Sequence, residues 1–85
     1  MGAQGMDIEG LMERLGRSGV TMILKVDDER MREGGEPWTL VMSGQGLGDE
    51  GFIRAESSSL NDCLEQALSR LRSRTGDWNW LAEFS

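Results

Sequence analysis

Along this chain the spacing of apolar residues alternates between two periods, and each change marks an element. Ile8, Leu11, Met12 and Leu15 recur at helical spacing behind Asp7, a residue suited to cap a helix start. From residue 20 the period drops to two: Val20, Met22, Leu24 and Val26 share one side and Thr21, Ile23 and Lys25 the other, as in a half-buried strand. Residues 38–43 repeat the alternation, with Trp38, Leu40 and Met42 against Thr39, Val41 and Ser43, and residues 52–56 supply a third, shorter strand. Helical spacing returns between residues 57 and 76, where Leu60, Leu64, Ala67, Leu68 and Leu71 fall on one face. Ser59 and Asp62 form a variant of the capping box, and Gly76 supplies the stop. Asp62 and Glu65 near the start and Arg70, Arg72 and Arg74 near the end complement the helix dipole.

The connections set the topology. Residues 27–37 are charged and contain Gly34, Gly35 and Pro37, which predicts a mobile hairpin connection longer than a tight turn. Residues 44–51 form a glycine-rich turn with Leu47 exposed at its tip. Short connections make neighbouring strands antiparallel. The expectation is an α+β fold, a two-layer sandwich in α-β-β-β-α order, with a three-stranded antiparallel meander covered by helices. Thr21, Ile23, Thr39, Val41 and Ile53 are expected on the sheet's outer face. The tail holds Trp78, Trp80 and Phe84, read as core closing one end in a short C-terminal helix or an edge strand, with a partner-binding anchor as the alternative. Residues 1–5 read as a disordered leader and residues 6–85 as one domain.

Eighty-five residues make one small core, and a chain of this size leaves a large share of its surface in water. A net charge of −6 argues against broad phosphate neutralisation and favours a basic partner or simple solubility. Cys63 is the single cysteine, so no intrachain disulfide forms, and a reducing, cytoplasmic setting is expected. Its side chain is expected to be a buried, inert thiol rather than an activated one. The chain has no histidine, which removes the commonest general base and transition-metal ligand, and no apolar run has the length of a membrane span. The run from Gly44 to Gly48 lacks the lysine and following helix of a phosphate loop, and Asp27, Asp28 and Glu29 lack the ligand spacing of a calcium loop. No catalytic, cofactor or metal residue is therefore assigned.

The order of elements resembles that of a double-stranded RNA-binding domain. That family carries a phosphate-gripping lysine cluster at the start of its second helix, where this chain has Ser57, Ser58, Ser59, Leu60, Asn61 and Asp62. From residue 20 to residue 71 the chain also resembles the meander-plus-helix domain of HicB-type antitoxins. The likeness rests on the passage of residues 52–60 through a serine turn into Glu65, Gln66, Ala67 and Leu68. The proline-and-glycine signature between that family's second and third strands has no counterpart here, so no binding residue is carried over.

The function expected is that of a non-enzymatic interaction protein, an inhibitor or antitoxin-like module of the kind carried by phages and mobile elements. It would occupy the basic surface of a nucleic-acid-handling partner. Asp27, Asp28, Glu29 and Glu33 on the long connection, with Asp49 and Glu50 on the glycine-rich one, are the expected contacts. The alternatives are nucleic-acid binding through Arg54, Arg70, Arg72 and Arg74, and a structural homodimer formed through a sheet face or a free strand edge.

Overall fold

The computed structural model describes residues 7–48, 51–74 and 76–84. They form α1 (Ile8–Arg17), β1 (Thr21–Val26), α2 (Asp28–Arg32), β2 (Trp38–Ser43), a 3-10 turn (Gln45–Leu47), β3 (Phe52–Ser57), α3 (Leu60–Arg72) and a closing 3-10 helix (Asn79–Phe84). The fold is α+β, with one antiparallel sheet in the order β1-β2-β3. The expected order is present with one addition, α2, inside the connection predicted to be irregular. Asp27 creates it: its carboxylate accepts hydrogen bonds from the backbone N–H of Glu29 (2.9 Å) and Arg30 (3.2 Å), which satisfies the first free donors of a single helical turn.

Register makes the two sheet faces explicit. Met22, Met42 and Ile53 form one inward row, Leu24, Leu40 and Ala55 a second, and Val26, Trp38 and Ser57 a third. Leu40 and Met42 are fully buried against Leu11 and Leu15 of α1 and Cys63, Leu64, Ala67, Leu68 and Leu71 of α3. Both long helices are capped as their sequences imply. The Asp7 carboxylate accepts from Gly10 N–H at 3.0 Å, and the Ser59 hydroxyl accepts from Asp62 N–H at 3.1 Å.

Two local expectations are overturned. Ile53 lies in the core at 2% exposure, not on the outer face, because the pairing of β3 with β2 sets it opposite Met42 and sends Phe52 and Arg54 outward. A one-residue error in a strand's phase exchanges its faces. Leu47 is also buried rather than exposed at a loop tip. The glycine-rich turn folds back on the α1–β1 junction, where Gly46 N–H donates to Gly19 C=O (3.0 Å). A Cβ on Gly46 would collide with the Ser18 carbonyl oxygen, so only glycine permits this approach. The tail joins the core as expected: Leu81 is fully buried, Trp78 nearly so, and Trp80 and Phe84 pack on the cluster edge-to-face. The tail's helical turns are 3-10, and it contributes no edge strand. The leader, residues 1–5, lies outside the described residues.

Candidate interaction surface

α1 and α3 cover one side of the sheet; on the opposite side Thr21, Ile23, Lys25, Phe52 and Arg54 are exposed, while Thr39, at the end near α2, is buried. The rows of that side are Thr21, Ser43 and Phe52; then Ile23, Val41 and Arg54; then Lys25, Thr39 and Glu56. Ile23 is 58% exposed and Phe52 52%, and with Val41 between them they make an apolar strip across all three strands. Isolated exposed apolar residues are ordinary; a contiguous strip rimmed by polar groups marks a contact surface.

The third row carries an ion-pair cluster at Glu56. Glu56 receives Arg54 at 2.6 Å and Arg30 at 3.1 Å, so a residue of α2 is tied to the open face. The hydrogen bond from Arg54, reinforced by that from Arg30, holds the Glu56 carboxyl below its ordinary range, and the same contact raises Arg30. Thr39, between Lys25 and Glu56 in this row, is 2% exposed, and its hydroxyl has no hydrogen-bond partner among the described residues.

The acidic residues singled out from the sequence divide into two roles. Asp27 is the cap of α2, and its carboxyl is held low, first by the backbone N–H of Arg30. Asp28 is paired with Arg32 at 3.1 Å. Glu29 and Glu33 are exposed and form no ion pair among the described residues, so they carry the uncompensated negative charge of this corner. Arg30 and Arg32 dilute the cluster, because the helical spacing of α2 sets Arg30 beside Asp27 and Arg32 beside Asp28, pairings that an irregular connection would not fix. Asp49 and Glu50 lie outside the described residues.

The arginines named for the alternative reading converge in part. The Arg70 guanidinium donates to Arg54 C=O and that of Arg74 to Phe52 C=O (2.9 Å), so the last turn of α3 and the segment just after it reach the outer edge of β3. Exposed Phe52 lies between this basic edge and the open face. Register was the missing signal, since it decides which β3 residues accompany Arg54.

Cys63 is fully buried, with its thiol 3.5 Å from Ala55 C=O, and burial pushes its pKa up. The burial is the one expected. Among the described residues no group of three or more acidic or cysteine side chains could hold a metal ion, and no helix is long and apolar enough to cross a membrane. No protein-family model, curated protein or solved structure matches the chain.

Proposed function

We propose that the protein is a non-enzymatic interaction module that docks the open side of its sheet on a partner protein, in the manner of an inhibitor or antitoxin. The observation that carries this reading is the strip of Ile23, Val41 and Phe52 left uncovered on a sheet whose other face is largely packed under α1 and α3. Large apolar side chains on a polar-rimmed face stabilise a complex by leaving water. Glu29 on α2 and Glu33 at its C-cap, joined to that face through Arg30 and Glu56, would steer it towards a basic surface. A nucleic-acid-handling partner fits that charge.

The test is binding by wild-type protein and by an Ile23→Lys, Phe52→Lys variant, using a partner captured from the native host and then purified. The variant should keep its far-ultraviolet spectrum and lose binding. Glu29→Gln with Glu33→Gln should slow association, and rising salt should do the same to wild type. Unchanged binding by the lysine variant would remove the sheet face from the proposal.

One observation favours a second reading, nucleic-acid binding: Arg54, Arg70 and Arg74 gather beside exposed Phe52. A base can stack on an aromatic ring while arginines hold its phosphates. An anisotropy titration with single- and double-stranded RNA and DNA at low salt separates the two. Salt-sensitive binding lost in Phe52→Ala would favour this second reading.

A further inference from the structure

The two edges of the sheet are finished differently. On β3 the carbonyls of Phe52 and Arg54 point away from β2 and are taken by Arg74 and Arg70, so an incoming strand meets guanidinium groups already in place. Antiparallel alternation then fixes the other edge. Residues 52 and 54 face outward, so their β2 partners Ser43 and Val41 face β1 and pair there with Thr21 and Ile23. The backbone N–H and C=O groups of Met22 and Leu24 are therefore turned to the outside of β1, with no partner among the described residues. Ile23 is 58% exposed and Val26 48%, so this edge is open from residue 23 onward, while Met22 at its start is 8% exposed.

Residues 20–26 have the same polarity read in either direction: Val, Thr, Met, Ile, Leu, Lys, Val. Ile23 is the centre. Laid antiparallel on itself about that residue, the strand sets Met22 opposite the partner's Leu24, Thr21 opposite the partner's Lys25, and Ile23 opposite the partner's Ile23. Apolar meets apolar, polar meets polar, and the two lysines lie at opposite ends of the seam. Centring on Leu24 would put Ile23 against a lysine, and centring on Lys25 would set the two lysines face to face, a destabilising arrangement. The outward groups of Met22 and Leu24 then exchange hydrogen bonds across the seam, while the Ile23 pair occupies the closer, non-hydrogen-bonded position.

We propose that the β1 edge is a self-recognition site, on which a second copy of this chain adds its own β1 to make one continuous six-stranded sheet. The occupant is a copy rather than an unrelated peptide because the polarity of residues 20–26 is its own antiparallel complement about Ile23, which gives the two copies a symmetric, self-complementary seam. This stands independently of the partner proposed above. So short a seam buries less than the roughly 800 Å² per partner of a standard interface, so the dimer is reversible.

Sedimentation equilibrium of the whole chain, from about 10 µM to about 1 mM to span weak association, should show the average mass climbing from 9.4 kDa towards twice that value. Ile23→Lys should hold it at the monomer mass while leaving the circular dichroism spectrum unchanged. The Ile23→Cys variant should cross-link to itself under mild oxidation, because a spacing of about 4.5 Å between facing Cα atoms lies within disulfide reach. Phe52→Cys, equally open but on the opposite edge strand, should cross-link at least tenfold more slowly. A wild-type chain that stays monomeric throughout would overturn the proposal. So would equal cross-linking of the two cysteine variants, because that would assign the contact to the sheet face.

Discussion

The two sides of this sheet are made by the same eighteen residues and share one alternation, yet they do opposite things. The inward rows hold methionine, leucine, isoleucine, alanine and tryptophan, and α1 and α3 seal most of them from water. The outward rows also contain three large apolar residues, but no helix among the described residues covers them, and the row nearest α2 is held by the Arg54, Glu56 and Arg30 ion pairs. What separates a core from a contact surface here is therefore coverage more than composition. In a chain this short the two long helices seal only one side, and the apolar strip on the other stays in contact with water.

The comparison can be broken most forcefully from inside. Leu68→Ala removes a side chain that is 1% exposed and leaves a hole beneath the sheet, which should cost about 2–5 kcal/mol in chemical denaturation. Phe52→Ala, although it removes a larger side chain, should change stability by no more than about 0.5 kcal/mol, as surface substitutions do. A comparable loss from both would mean that the outer strip is packed as part of the fold. The next effect in size tests the turn that closes the packed side. Gly46→Ala drives a Cβ into the Ser18 carbonyl and should cost about 1–3 kcal/mol. Gly16, in the last turn of α1 with open space around it, should respond with the opposite sign, Gly16→Ala stabilising by about 0.5–1 kcal/mol.

These positions also indicate how far the fold was legible in the sequence. The bounds of β2, the caps at Asp7 and Ser59 and the leucine face of α3 follow from period and cap chemistry, because each is decided within a few residues. The errors lie where distant partners decide. In β3 both Phe52 and Ile53 are apolar, so alternation has two solutions, and only pairing with Met42 selects Ile53 for the interior. Gly44 and Gly46 read as parts of a turn with an exposed tip, whereas their smallness serves a close approach to Ser18 and Gly19, a contact that local pattern does not reveal. The surface was legible by residue type and less so by arrangement. The acidic group was evident, but Arg30 and Arg32 divide it once α2 forms. The arginines of the other reading meet Arg54 only through the packing of α3 on β3.

A smaller effect probes how the covered side is held in place. Ser59→Ala removes the hydroxyl that accepts from Asp62 N–H and should cost about 1 kcal/mol, the usual loss for a helix cap, while Ser59→Asp should keep most of the stability. If Ser59→Ala were silent, the start of α3 would be fixed by its apolar packing alone.

The smallest effect belongs to the open side and depends on pH. Glu56 is held ionised below its ordinary range by Arg54 first and by Arg30 next, so the folded state binds its proton more weakly than the unfolded chain does. Its contribution is fully present above the unfolded pKa and is lost as pH falls through the folded one. Glu56→Gln should therefore be less stable than wild type at neutral pH, and the gap should close on the acid side of the ordinary carboxylate range. Denaturant titrations of both proteins between neutral and acid pH measure that gap. A gap that stayed constant with pH would mean that Arg54 and Arg30 gain nothing from the charge on Glu56. The polar row of the open face would then be screened surface rather than the tie that fixes α2 beside the apolar strip.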